Sequence, residues 1–192
     1  LKILEICGYY VSSSKIHTHT TTMLRIRLML CAVLLLLGVL THAQTNISGV
    51  INSYLEVTGI DKCNNNVTLP VTPIGLAAGD HVILIQMRGV DAEADNSPAY
   101  GSIKKKTKSG NYEMFTVQSV VFNVVTFNEV VGRLYQLAGR VQLVRVPEYS
   151  DAKVVGEVTG QPWNGITGGV IAMIVNGTLT LNENIDAKTI GF

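Results

Sequence analysis

Charged residues are scarce in this chain of 192 residues. They make up 15% of it, against about 25% in an average globular protein. Cysteine is rarer, with three residues in all, and aromatic side chains account for 6%. The low charge excludes a charged disordered tail and a basic nucleic-acid-binding arm. The few cysteines exclude a small domain that is held together by disulfides.

One apolar segment contributes much of the mean hydropathy of +0.30. It is the unbroken run from Leu28 to Leu40, which follows two arginines. Its length fits the apolar region of a secretory signal peptide, about 7–15 residues, and is shorter than the roughly 20 residues that span a bilayer. We therefore predict a helical signal peptide over 23–43, a secreted or cell-surface protein, and no stable membrane span after cleavage.

Residues 1–22 precede Met23, the methionine at which this signal peptide would start. A signal peptide belongs at the N-terminus of the translated protein. We therefore interpret residues 1–22 as a mis-called upstream start, and we assign no metal site to His17 and His19, which lie within it.

The region after residue 43 is nearly neutral. Four of the 15 Lys and Arg residues and one of the 14 Asp and Glu residues precede Gln44, which leaves 11 against 13 and a net charge of −2. This balance gives no electrostatic basis for nucleic-acid binding. Cys63 is the single cysteine of the region, so it is expected to be either a buried thiol or an intermolecular link.

The composition after residue 43 predicts an all-β fold, because valine, isoleucine and threonine are abundant there and β-branched side chains favour strands. Residues 130–138 match helical spacing, but Gly132 interrupts them, so we predict an irregular link there. Apolar runs and turn residues predict strands at 67–71, 81–86 and 140–146 and a hairpin of 112–122 with 124–127.

The last part of the chain has a different pattern, with short apolar strands separated by two-residue corners. Local rules interpret Asn176-Gly177 as the turn of an antiparallel hairpin. The same spacing also fits the corners of a β-solenoid, whose strands stack on the next coil. We predict a β-barrel or sandwich domain at 44–160, which leads into the first coil of a truncated β-solenoid at 161–192. Further repeats would follow downstream.

Several segments of the mature chain resemble the N-terminal region of large Bacteroidetes surface proteins. They are IQMRG (85–89), YGSI (100–103), GNYEMFTV (110–117), VQLVRVPEY (141–149), PWNGITGG (162–169) and NGTLTL (176–181). These relatives are adhesin-like proteins, often exported by type IX secretion and carrying gliding-motility-type sorting domains. The resemblance implies a secreted adhesive module whose last segment leads into a repeat region of β-helix type.

Catalytic motifs are absent from the sequence. His81 is the only histidine after residue 43, and no G-x-S-x-G segment supplies a nucleophile for it. We therefore predict no catalytic residues and no enzymatic activity, and we interpret His81 as a surface or strand-edge residue.

An acidic segment is the candidate metal site. Asp91, Glu93 and Asp95 alternate along the chain as the hard oxygen ligands of calcium do, but the segment departs from an EF-hand loop at its sixth and twelfth positions. A solvated acidic loop is the favoured interpretation, with calcium as the alternative cofactor. The basic run at 104–108 would screen these charges as part of one hairpin arm.

Two aromatic residues are the candidate ligand contacts. Trp163 and Tyr149 could stack on sugars, or Trp163 could fill the space between the two parts of the chain. The sequence thus favours a non-catalytic structural or adhesive module that contacts surface polysaccharide or other cell-surface components. The alternatives are the N-terminal part of a carbohydrate-active β-helix enzyme and a carbohydrate-binding module.

We expect the exported protein to begin at or near Gln44, because Thr41-His42-Ala43 resembles a signal-peptidase site after an apolar run of suitable length. Intact-mass measurement of the exported protein tests this prediction. Recovery of a membrane-integral species that retains Met23 would contradict it.

Overall fold

The structure is a computed structural model, and it describes residues 44–106 and 108–191. The predicted upstream start at 1–22 and the predicted signal peptide at 23–43 lie outside these residues. Across the described residues, no helix has both the length and the apolar character that a membrane span requires.

The described chain is built from strands, which confirms the predicted all-β class. Its one helical turn, within the described residues, is a 3-10 turn at Leu137–Gly139. The strands are β1 (Thr45–Val50), β2 (Ser53–Glu56), β3 (Gly59–Asp61), β4 (Asn66–Thr68), β5 (His81–Gln86), β6 (Val90–Ala92), β7 (Ile103–Lys106), β8 (Tyr112–Val121), β9 (Val124–Phe127), β10 (Val141–Val146), β11 (Glu148–Tyr149), β12 (Ala152–Thr159), β13 (Ile174–Val175), β14 (Leu179–Leu181) and β15 (Ile185–Asp186).

Seven of these strands form an antiparallel sheet in the order β2-β10-β5-β8-β9-β4-β3. The predicted strand at 81–86 has the predicted bounds, and the predicted hairpin is β8-β9. The strand expected at 67–71 is shorter and shifted, since β4 ends at Thr68. The predicted irregular link at 130–138 contains no strand and enters β10 through the 3-10 turn.

One face of the antiparallel sheet carries the main core. Alternate residues of β5, β8, β9 and β10 point into it, which is the period-two pattern of strands with one buried face. Phe115 and Phe127 stack at its centre, with ring centroids 4.4 Å apart and an interplanar angle of 9°. Full burial of such side chains contributes about 1.5–3 kcal/mol each.

The two end strands of this sheet, β2 and β3, are consecutive in the chain. Only Val57 and Thr58 separate them. The Val57 N–H donates to the Val141 carbonyl beside β2, and the Thr58 N–H donates to the Thr68 carbonyl beside β3. A single stretch of chain, 53–61, therefore bonds to both β10 and β4.

A second sheet is parallel. β12 pairs with β1 on one side and with β14 and β15 on the other. β11 and β13 form a separate two-stranded parallel sheet. Asn176-Gly177 is therefore a corner between parallel-paired strands, and the antiparallel hairpin that local rules allowed at this position does not form. The sheet draws on both predicted segments, because β1 and β12 precede residue 161.

The corner at Gly177 depends on close approach of two chain segments. A Cβ atom on Gly177 would lie 2.5 Å from Asp151 Oδ1 and 2.8 Å from the Ser150 carbonyl oxygen. The Gly177 N–H instead donates to that carbonyl at 2.7 Å, and the Thr178 N–H donates to Asp151 Oδ1 at 2.6 Å. Glycine is thus required at this position for steric reasons, because any side chain would push the two stacked corners apart.

Buried amide side chains join the segment 161–172, which we call the crossing segment, to the antiparallel sheet. Gln142 is fully buried; its Nε2 donates to the Gly168 carbonyl and its Oε1 accepts from the Gly168 N–H, both at 2.9 Å. Asn52 holds Ala172 in the same way, at 2.6 Å and 3.0 Å. Each side-chain amide thus bonds both the N–H and the carbonyl of one residue in the crossing segment, as a neighbouring strand would do in a sheet.

We expect Gln142→Leu to lower the free energy of unfolding by about 2–4 kcal/mol, because it leaves a buried N–H and a buried carbonyl of Gly168 without partners. Urea denaturation measures the change. Gln118→Leu, at an exposed position of β8, is the control and should cost much less. Equal costs for the two variants would contradict the assigned role of Gln142.

Candidate functional site

The most distinctive surface of the described chain is an edge of the parallel sheet. This edge is formed by β14 and β15, where residue 179 pairs with 152 and residue 185 pairs with 158 of β12, and both pairs have the same sequence separation. Residues 148 and 174 also pair, and their separation in the sequence is one residue smaller. The Trp163 N–H donates to the Ile190 carbonyl at 2.9 Å, again with the separation of the first two pairs. The chain therefore winds in coils of nearly constant length rather than in hairpins.

Apolar side chains stack on one another between these coils. On the interior side of the sheet the paired residues form columns, which are Ile47–Val154–Leu181, Ala152–Leu179 and Val158–Ile185. The row between the first two columns, Asn46–Lys153–Thr180, is polar. The alternation is preserved from coil to coil, which keeps one face of every strand in the interior.

Burial along the columns ends at β14 and β15. Ala152, Val154 and Val158 are fully buried. Their column partners are exposed, with 37% of Leu179, 60% of Leu181 and 40% of Ile185 accessible. We call these three leucine and isoleucine residues, with the strands β14 and β15 that carry them, the open edge.

Polar side chains fix the corners beneath the open edge. The Asn176 Nδ2 donates to Glu148 Oε1 at 2.7 Å, and the Thr159 hydroxyl donates to the Asp186 carbonyl at 2.9 Å. Because each bond joins one coil to the next, the open edge is held in register at both ends.

Tyr149, one of the predicted sugar contacts, lies in β11 and packs against the interior of the parallel sheet, in contact with the cluster of Ile47, Ala152, Val154 and Val158. Burial raises the pKa of its hydroxyl. Trp163, the other predicted contact, is half-buried at the start of the crossing segment, where its backbone bonds to the next coil. The two residues occupy different parts of the coil, and their predicted role in ligand binding stays a prediction.

The predicted acidic segment lies on a two-stranded arm, β6-β7. Glu93 Oε2 lies 2.7 Å from Lys104 Nζ, so these two residues of the predicted acidic loop and basic run form an ion pair. The hydrogen bond from Lys104 lowers the pKa of Glu93. Asp95 is exposed, and the side chain of Asp91 lies outside the described part. Among the described residues, no group of three or more His, Cys, Asp or Glu side chains is placed to hold a metal, and the calcium hypothesis stays a prediction.

Cys63 is exposed in the turn between β3 and β4, so the expectation of a buried thiol is wrong. The turn is held by Asp61, whose Oδ1 accepts hydrogen bonds from the Cys63 and Asn64 N–H groups at 2.9 Å and 3.1 Å. The thiol is therefore exposed in a turn whose other residues are polar.

A salt bridge and a histidine–carboxylate contact lie near the start of β5, and sequence patterns did not reveal them. Arg145 Nη2 donates to Asp80 Oδ1 at 2.8 Å. His81 Nε2 lies 3.2 Å from Glu148 Oε2 and so joins β5 to β11. His81 is half-buried at the first position of β5. The adjacent residues Asp80 and His81 were visible in the sequence, but their partners are distant in the chain.

The Arg145 guanidinium holds the pKa of Asp80 below its ordinary value, chiefly through the hydrogen bond between them. A carboxylate with a lowered pKa stabilises the folded state above the unfolded-state pKa of about 3.9, and this contribution is lost as the pH falls through the folded-state pKa.

We therefore expect Asp80→Asn to lower the free energy of unfolding by about 1–2 kcal/mol at pH 7. The asparagine keeps an acceptor for the Ala77 N–H, which Asp80 Oδ2 accepts at 2.8 Å. The difference from the unchanged protein should shrink as the pH falls below about 4. Chemical denaturation across pH 2–7 tests this prediction, with the exposed Glu183→Gln as control. A difference that stays constant over that range would contradict it.

Neither a protein-family model nor a curated protein sequence matches the chain. It is similar to the tailspike gp61 of Pseudomonas phage phi297, with 17% identity and a TM-score of 0.35 over 60% of this chain and 22% of that one. It is also similar to the tailspike gp49 of Pseudomonas phage LKA1, with 19% identity and a TM-score of 0.31 over 74% of this chain and 23% of that one. A third similar structure is the Gp54 tailspike of Acinetobacter baumannii bacteriophage AP22, which was solved in complex with A. baumannii capsular saccharide. The identity is 13% and the TM-score 0.35, over 75% of this chain and 24% of that one. This chain thus spans less than a quarter of each tailspike.

Proposed function

We propose that residues 44–191 form the N-terminal end of a parallel β-solenoid and act as a non-catalytic structural module that starts the stack of coils. The exposed column ends at the open edge carry this proposal. Leu179, Leu181 and Ile185 occupy positions whose equivalents one coil earlier are fully buried. A further coil in the same register would bury them and extend the parallel ladder.

The antiparallel part acts in this proposal as a closed β-barrel that caps the first coil. The stretch 53–61 bonds to β10 through β2 and to β4 through β3, which supports closure. The barrel is inserted between β1 and β11, so that β1 pairs with β12 across the whole inserted domain. Its amides from Gln142 and Asn52 hold the crossing segment, so the first coil is built on a rigid support.

A secreted, cell-surface location and an adhesive role toward surface polysaccharide belong to the same proposal. The signal-peptide pattern at 23–43 and the resemblance to adhesin-like surface proteins support them. A solenoid suits such a role, because stacked coils give a long and regular surface on which ligands can bind.

We expect the chain from Gln44 to self-associate through the open edge, because unpaired strand edges with exposed aliphatic side chains pair readily with another chain. Sedimentation over a range of concentrations should show oligomers. Leu181→Lys should shift the protein toward the monomer, since the lysine charge would enter the paired interface.

Ile74→Lys is the matched control. Ile74 is 96% exposed in a loop outside the parallel sheet, and its replacement should leave the association unchanged. A chain that stays monomeric at high concentration, or an Ile74→Lys variant that dissociates as fully as Leu181→Lys, would contradict the proposed role of the open edge.

A further inference from the structure

A second apolar surface lies on the outer face of the antiparallel sheet, opposite its core. Ile83 pairs directly with Met114, and Ile85 pairs with Tyr112. The two isoleucines are half-buried, whereas Tyr112 is 56% and Met114 51% exposed. We call these four residues the outer strip.

The outer strip continues a surface that is already covered. On β10, Val144 is the neighbour of Ile83 and Gln142 is the neighbour of Ile85, and both β10 residues are fully buried. The crossing segment lies over this part of the sheet, as the bonds of Gly168 to Gln142 and of Val170 to the Tyr54 hydroxyl show. Cover is thus complete on β10 and ends at β5.

The second coil lies next to the crossing segment at Gly169. Ile190 lies beside Trp163 in the register of the coils, and their backbones are hydrogen-bonded. The Ile190 carbonyl oxygen and Met87 Cε lie 3.2 Å and 3.7 Å from the Cβ position of Gly169. Met87 directly follows β5, so Gly169 of the crossing segment lies close both to the second coil and to the end of β5.

We propose that the outer strip is the seat for the crossing segment of the next coil, an extended stretch of the same repeat with apolar side chains toward the sheet. The proposal rests on the proposed solenoid and adds a specific contact to it. The antiparallel domain would then support two successive coils, the first through the amide bonds of Gln142 and Asn52 and the next through aliphatic and aromatic contact with Ile83, Ile85, Tyr112 and Met114.

The experiment extends the chain after residue 192 by a second copy of residues 166–192, which is one coil in length and so continues the register. Hydroxyl-radical modification followed by mass spectrometry reports the exposure of individual side chains in the extended and the original chain. We expect modification of Tyr112 and Met114 to fall about fivefold, as their exposed fractions approach those of core residues. Tyr100, exposed on the β6-β7 arm, should not change.

Leu181 and Ile185 separate this inference from the proposed function. Protection of both the open edge and the outer strip supports both proposals. If Leu181 and Ile185 become protected while Tyr112 and Met114 do not, the contact with the outer strip is refuted and the solenoid proposal stands. If neither surface is protected, the chain's own repeat does not stack, and both proposals are overturned.

A pair of variants in the extended chain gives a second test. Met114→Lys should restore modification of Tyr112 at least halfway to its level in the original chain, because a charge would lie beneath the added segment. Val121→Lys, an equally exposed position at the other end of β8, should leave Tyr112 protected. Equal effects of the two variants, or none from Met114→Lys, would refute the contact.

Discussion

The parallel ladder centred on β12 is the interaction on which the rest of the described structure depends. It joins β1, which precedes the antiparallel domain in the chain, to β14 and β15, which lie one coil further on. Burial of the aliphatic columns between the coils stabilises the ladder, and the backbone hydrogen bonds fix its register. Parallel pairing requires a long connection between paired strands, and the chain places a whole antiparallel domain in one of those connections.

The antiparallel domain in turn supports the coil that follows it. Its amide side chains act as strand partners for a segment that has no sheet of its own. A buried amide is destabilising when it is left unpaired and favourable when both of its groups are bonded. Gln142 and Asn52 therefore specify one position of the crossing segment, whereas apolar residues at the same places would allow it to slide.

The sequence predicted the elements whose signals are local. The bounds of β5 and the β8-β9 hairpin followed from apolar alternation and turn residues, which depend on a few neighbouring positions. The place of β1 could not be predicted, because Thr45–Val50 contains one buried residue, Ile47, and its partner strand follows the whole antiparallel domain. Asn176-Gly177 satisfied two local rules at once, and only the register of β14 against β12 distinguishes them.

The candidate site was predictable in outline. The short apolar strands of the last part of the chain were visible in the sequence, but the exposure of the side chains at 179, 181 and 185 depends on how the coils stack. Gln142 gave a weak signal as a polar residue within VQLVRV, and its partner Gly168 gave none. Tyr149 was selected for its aromatic ring, which the structure uses for packing against the interior of the parallel sheet.

Interstrand proton–proton contacts in the NMR spectrum of residues 44–192 test the central claim most directly. Stacked coils predict short backbone contacts between 153 and 180 and between 158 and 185, where β12 lies parallel to β14 and β15. An antiparallel hairpin at Asn176-Gly177 would instead give contacts between 175 and 178 and between 174 and 179. Observation of the first set confirms the stacked coils, and observation of the second set contradicts them.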